Sequence, residues 1–133
     1  MLRVVLDTNV LVSAIISNGR PRQLVKKGIS NQFSIVTSES ILQELAKVIH
    51  RPKFKTSEEE IRRITLALRR TAEFVDVQSK LVVVADDPKD DMIINTAIDG
   101  CADLIVSGDK HLLCLESYHG IRIVNVETAL RLL

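Results

Sequence analysis

The sequence has few aromatic residues: among its 133 residues are one tyrosine, three phenylalanines and no tryptophan. So few rings exclude base stacking as a major mode of nucleic-acid binding. Because 46% of the residues are nonetheless hydrophobic, the core must consist of leucine, isoleucine, valine and alanine. Aliphatic cores of this kind are typical of buried parallel strands covered by helices.

Cysteine is also scarce. Cys101 and Cys114 are the only two, and they form no CxxC pair, which excludes a disulfide framework and a cysteine-based zinc site. Both lie in apolar stretches, so we expect buried thiols.

No single sign of charge dominates, and no long hydrophobic run is present. The formal net charge is +1, so any argument for nucleic-acid binding must come from local clusters. The apolar runs are far shorter than the ~20 residues of a membrane span, and the N-terminus does not resemble a signal peptide. We therefore expect a cytoplasmic protein without a membrane segment.

Short aliphatic runs alternate with amphipathic stretches along the chain. Strands are predicted at 2–6, 33–37, 73–77, 104–106 and 121–126, while 81–85 is either strand or extended loop. Helices are predicted at 10–16, 20–29, 38–49, 57–71, 90–102 and 127–133, with a short one after Asp109. This alternation predicts an α/β fold, a three-layer α/β/α sandwich with a central parallel sheet of four to five strands, as a single domain over 1–133.

Acidic residues fall where ligands bind in such sheets, outside the carboxyl ends of the strands. Asp7 closes the first strand, Asp109 follows the strand 104–106, and Asp90 begins the helix that leads into that strand. Connectivity alone therefore directs these acids to one edge of the sheet.

Asp90 lies near the middle of its helix's apolar stripe, three residues before Ile93 and four before Ile94. A carboxylate facing the sheet costs several kcal/mol to desolvate unless positive charge meets it. The alternative is that Asp90 only caps the helix. Both interpretations remain open.

Glu44 borders the apolar stripe of its own helix, next to Val48. Periodicity alone slightly favours a solvated helix acid, and Asp7 and Asp109 could each be simple helix caps. Four acids directed to one end of one sheet are harder to explain as caps. A cluster of oxygen ligands without cysteine or histidine selects a hard cation, Mg²⁺ or Mn²⁺.

Four blocks of the sequence resemble the PIN-domain family, in the family's order and over essentially the full length. The resemblance, closest to a prokaryotic, toxin-like branch, is carried by VVLDTNVLVSA, SESILQELAKVIHRPKF, DPKDDMIINTAI and DLIVSGDKHLL. It implies that the catalytic, metal-binding acids are Asp7, Glu44, Asp90 and Asp109. It selects Asp90 over Asp91, which remains a candidate auxiliary or water-mediated ligand. Asn9 and Ser107 would orient carboxylates by hydrogen bonds or merely stabilise a turn.

The resemblance further implies a Mg²⁺- or Mn²⁺-dependent endoribonuclease in which activated water attacks RNA and leaves a 5′-phosphate. Glu44 or Asp90 would position the water or share a proton. Many small prokaryotic relatives are toxins held inactive by a cognate antitoxin protein, and homodimers are common. Local basic clusters modestly support RNA as the partner: Arg20, Arg22, Lys26 and Lys27; Arg51, Lys53 and Lys55; Lys110 and His111.

Two other functions stay open. One is an RNA-binding or scaffold module that keeps the fold without the activity. The other is a phosphotransfer enzyme, which the sequence disfavours: a dehalogenase-like phosphatase would need an aspartate where Asn9 stands, and a receiver domain would need an acidic pair at the end of the first strand.

Overall fold

The computed structural model describes residues 1–84 and 87–133. The elements in chain order are β1 (Arg3–Leu6), α1 (Thr8–Ile16), α2 (Arg20–Ile29), β2 (Ser34–Thr37), α3 (Glu39–Ile49), α4 (Glu58–Thr71), β3 (Glu73–Phe74), α5 (Pro88–Asp99), β4 (Leu104–Val106), α6 (Lys110–Leu113), β5 (Ser117–Tyr118), β6 (Ile121–Val124) and α7 (Val126–Leu132).

The strands form one sheet in the order β3-β2-β1-β4-β6-β5. In the described part of the chain, β3, β2, β1, β4 and β6 pair in parallel, and β5 pairs antiparallel with β6. The α/β sandwich predicted from the alternating pattern is therefore confirmed. The antiparallel edge strand β5 was not predicted, because two residues carry no periodic pattern.

The centre of the sheet is β1, whose Val5 pairs with Val36 of β2 on one side and with Ile105 of β4 on the other. Val4 and Val5 are completely buried. Helix α5 packs against β1, β2 and β4, while α1, α2 and α4 contact one another and α7 contacts α2. The central strands are thus enclosed, and their carboxyl ends form the rim that carries the acids.

Several boundaries differ from the sequence-based predictions. β3 covers only Glu73–Phe74, and β6 ends at Val124. Residues 81–84 form no strand, and the rest of the run 81–85 lies outside the described residues. Helix α5 begins at Pro88, with Asp87 as its N-cap, because the Asp87 side chain accepts a hydrogen bond from the Lys89 backbone N–H.

The expectation of buried thiols was wrong, since both cysteines are exposed. Cys101 lies in the turn after α5 with a positive φ of 51°, where the backbone leaves the helix. Cys114 is the C-cap of α6. An apolar neighbourhood in sequence does not bury a residue at the end of a helix. Among the helices of the described residues, none has the length and apolar character that crossing a membrane requires.

Candidate metal centre

The candidate site lies where β1 and β4 end side by side. The chain leaves β1 through Asp7 and leaves β4 through Ser107, Gly108 and Asp109. The Asp7 backbone N–H donates to the Val106 carbonyl oxygen at 2.9 Å. This bond extends the pairing of the two strands by one residue and places Asp7 and Asp109 on the same rim.

Asp7 is held by hydrogen bonds to both of its carboxylate oxygens. The Ser107 hydroxyl donates to Oδ2 at 2.6 Å, and the Asn9 backbone N–H donates to Oδ1 at 3.4 Å, so Asp7 also caps α1. Burial raises the pKa of Asp7 and the nearby Asp109 charge adds to this, against the lowering effect of the Ser107 and Asn9 bonds. The Asp109 backbone N–H donates in turn to the Ser107 hydroxyl, which links the two acids.

Asp90 is a buried acid in the first turn of α5, only 5% exposed. It is not the helix cap, because Asp87 has that position. Its Oδ2 is buried and has no hydrogen-bond partner among the described residues. Burial first, then the charges of Asp109, Asp87 and Asp7, raise the pKa of Asp90 to about 7. A buried carboxylate oxygen without a hydrogen-bond partner is costly unless a cation or a proton neutralises it.

Asp109 is the N-cap of α6, and its Oδ1 accepts hydrogen bonds from the backbone N–H groups of His111 and Leu112. One possible ligand atom each from Asp90, Asp109 and His111 lie within 4.8 Å of one another. His111 was not proposed as a ligand from the sequence, although its position two residues after Asp109 was the available clue. Its side chain is 65% exposed and its Nδ1 lies 3.6 Å from Asp109 Oδ1.

Glu44 projects from α3, which contacts α5. Its side chain is 15% exposed, and the Lys89 ammonium lies 3.0 Å from Oε1. The approach is outside hydrogen-bonding angles, so this buried Oε1 has a charge partner but no hydrogen bond among the described residues. The solvated helix acid that periodicity slightly favoured does not describe this environment.

The four predicted acids, Asp7, Glu44, Asp90 and Asp109, line a single cavity of about 190 Å³. The cavity is completed by Thr8, Asn9, Val48, Arg51, Asp87 and Lys89. Sequence reasoning missed Lys89 and Asp87 as parts of the site, although both lie in the block that supplied Asp90.

The three supporting residues have different surroundings. Ser107 is fully buried and bonded to Asp7, whereas Asn9 is exposed at the cavity wall. Asp91 is not among the residues lining the cavity. Its Oδ1 instead accepts hydrogen bonds from the backbone N–H groups of Val83 and Val84, at 2.8 and 2.7 Å, which tie the preceding segment to α5.

The donor set fits a divalent cation. Glu44 Oε1 and Asp90 Oδ2 are buried without hydrogen bonds among the described residues, and ligand atoms of Asp90 and Asp109 lie within 4.8 Å of each other. Carboxylates this close repel each other by a few kcal/mol unless a cation or a proton lies between them. Carboxylate oxygens suit Mg²⁺ and Mn²⁺. An imidazole such as that of His111 is also compatible with a transition metal.

Fold and site together define an α/β sandwich with an acidic centre at the carboxyl ends of its central strands. The model of the PIN domain family matches residues 3–111, and the chain belongs to that family. An uncharacterised protein of Methanocaldococcus jannaschii is 31% identical over 118 residues, which cover 86% of this chain and 75% of that protein.

A solved structure has a similar fold. The crystal structure of VapBC2 from Rickettsia felis, bound to a DNA fragment from their promoter, contains a chain that superposes with a TM-score of 0.63 at 20% identity. The superposition covers 93% of this chain and 98% of that one. At this identity the likeness establishes the fold.

Proposed function

We propose that this chain is a Mg²⁺- or Mn²⁺-dependent endoribonuclease that hydrolyses RNA phosphodiester bonds, acting as a single domain. Membership of the PIN domain family supports a nuclease function. The observation that carries the proposal is the single cavity into which acids from four distant stretches of the chain converge.

In this proposal Asp7, Glu44, Asp90 and Asp109 hold one or two cations. Bound there, a divalent ion would lower the pKa of a water molecule and stabilise negative charge on the phosphodiester. Other side chains around the cavity position the ligands, hold a proton or contact the RNA. Ser107 fixes the Asp7 carboxylate through its 2.6 Å hydrogen bond, which reduces the cost of ordering that ligand.

When no cation is bound, the Asp90 carboxyl group is suited to hold a proton near neutral pH, because its pKa is raised to about 7. Arg51 is an exposed cation at the cavity wall. Its guanidinium can contact a phosphate of the RNA backbone, a contact that binds without reading sequence.

The test is RNA cleavage by Asp7→Asn compared with wild type in Mn²⁺. We expect the variant to lose at least about 100-fold in rate, because a neutral amide in place of a ligand carboxylate weakens the cation site. Asp76→Asn is the matched control, an exposed aspartate that is not among the residues lining the cavity, and it should cleave as wild type does.

Equal cleavage by wild type and Asp7→Asn would overturn the proposal. A protein that binds RNA in EDTA and forms no product with Mn²⁺ is a binding or scaffold module. One that releases phosphate from small esters and ignores RNA is a phosphotransfer enzyme.

We also propose that the nuclease is the toxin of a toxin–antitoxin pair, cytoplasmic, with a cognate antitoxin and a homodimeric state. The support is the fold shared with VapBC2 of Rickettsia felis and the resemblance of the sequence to the toxin-like branch of the family.

A further inference from the structure

Lys89 lies in the first turn of α5, where a lysine does not stabilise the helix. It is the second residue of α5, after Pro88 and the N-cap Asp87. A helix N-terminus carries partial positive charge, so a cation in the first turn is disfavoured by about 0.3–1 kcal/mol. Helix stability therefore does not explain a lysine at this position, and its contact across the cavity is the alternative explanation.

That contact is with Glu44 of α3, at 3.0 Å between Nζ and Oε1. The two partners differ in burial: the Lys89 side chain is 58% exposed and that of Glu44 only 15%. The buried carboxylate needs compensating charge, because an unpaired buried charge is costly. The exposed ammonium can leave for solvent at little cost. The pair can therefore open from the lysine side.

We propose, resting on the function proposed above, that Lys89 is a displaceable counter-ion of the metal centre: its ammonium neutralises Glu44 when no divalent cation is bound and is expelled when the cation takes that carboxylate. The lysine then competes directly with the metal for one ligand. Lys89 is a positioning residue in this scheme and takes no part in the chemical step.

The first test is calorimetric titration of Mn²⁺ into wild type, Lys89→Gln and Arg51→Gln. Arg51 is the matched control, because it is a second cation lining the same cavity and forms no ion pair with an acid of the described residues. Removing a competing ammonium should tighten Mn²⁺ binding about threefold, the scale of a partly exposed ion pair. Arg51→Gln should give only the smaller effect of a lost nearby charge.

The gain must also depend on Glu44. In the Glu44→Gln background, Lys89→Gln should change Mn²⁺ affinity no more than Arg51→Gln does, because the carboxylate for which lysine and metal compete is gone. Damaged folding would weaken Mn²⁺ binding, so it cannot explain a gain in affinity.

The second test detects the released amine by acylation of lysines and mass spectrometry, with and without Mg²⁺. Labelling of Lys89 should rise on adding Mg²⁺, while Lys47, an exposed lysine on α3, should be labelled equally in both conditions.

The outcomes separate this inference from the proposed function. Equal effects of Lys89→Gln and Arg51→Gln on Mn²⁺ affinity, or Lys89 labelling that ignores Mg²⁺, would overturn the counter-ion role and leave the nuclease standing. Wild type that binds no Mn²⁺ would overturn both.

Discussion

Asp90 has a carboxylate oxygen with no hydrogen-bond partner among the described residues, in a cavity shared with four other acids. Without a cation, protonation of the Asp90 carboxyl group removes the cost of burying its negative charge near the other acids. Burial and the neighbouring charges accordingly raise the pKa of Asp90 to about 7. Protons and divalent cations therefore compete for the same oxygens. The competition has consequences both for metal binding and for stability.

We expect Mn²⁺ affinity to rise between about pH 6 and 8 as Asp90 loses its proton, and then to level off. Asp90→Asn should abolish most of the binding at every pH. Calorimetric titrations at several pH values measure both effects. An affinity that is flat across this range would contradict the assignment of Asp90 as a ligand.

Stability without metal should show the opposite trend. The pKa of Asp90 is about 7 when folded against a reference of 3.8, so between these values the folded state holds a proton that the unfolded state releases. The contribution is complete below the lower value and is lost as pH rises through the upper one. In EDTA at pH 8, Asp90→Asn should therefore melt higher than wild type, by about 4 °C for each 1 kcal/mol gained. Coincident melting curves at pH 8 would show that the charge on Asp90 costs nothing.

At the scale of elements, α5 supplies two neighbouring aspartates with different surroundings. Asp90 lines the cavity, whereas Asp91 accepts hydrogen bonds from Val83 and Val84. Asn95, one turn further on, both donates to the Leu81 carbonyl and accepts from the Leu81 N–H. Asp91 and Asn95 thus bind the preceding segment to α5, while Asp90 in the first turn of the helix lines the cavity.

This arrangement predicts that Asp91→Asn keeps both stability and Mn²⁺ affinity, because an amide oxygen can still accept the two backbone bonds. Asp91→Ala should lose about 1–2 kcal/mol of unfolding free energy and speed amide exchange at Val83 and Val84. Denaturant unfolding and hydrogen exchange measure these effects. If Asp91→Asn weakened Mn²⁺ binding tenfold, Asp91 would be an auxiliary ligand instead.

Much of the element layout followed from the sequence, and the reasons differ between elements. The apolar stripes of α3 and α5 are regular, and the aliphatic runs of β1, β2 and β4 are bounded by polar residues, so their types were predictable. β5 and the short β3 depend on pairing with a neighbour, which no local pattern encodes. The start of α5 was misplaced because four acids and a proline offer several possible caps.

The site was predictable to the extent that connectivity determines it. Asp7 and Asp109 follow strands whose carboxyl ends must meet, and Asp90 follows from its helical face; their function as metal ligands remains a prediction. The ion pair of Lys89 with Glu44 could not be predicted, because it depends on how two helices distant in the chain approach each other. The exposure of the two cysteines was missed because both lie at helix ends, where an apolar neighbourhood in the sequence does not bury a side chain.

At the scale of the whole molecule, the toxin proposal predicts a cost to the host. Expression without a partner in a heterologous bacterium should arrest growth, and Asp7→Asn at equal protein level should not, because it disables the cation site while leaving the surface intact. Asp76→Asn should arrest growth as wild type does. Co-expression of a short neighbouring reading frame should relieve the arrest. Equal growth of wild type and Asp7→Asn would reject the toxin role, whatever the activity in vitro.

The order of strands in the sheet has a consequence for synthesis. β4 lies between β1 and β6 at the middle of the sheet, yet the ribosome makes it after some three-quarters of the chain. Until then β1 has a neighbour on one side only, and Asp109 does not exist. A nascent chain therefore cannot complete the acidic cavity while the ribosome is still synthesising the first three-quarters of it. If the proposed nuclease activity depends on this cavity, it cannot begin before Asp109 has left the ribosomal exit tunnel.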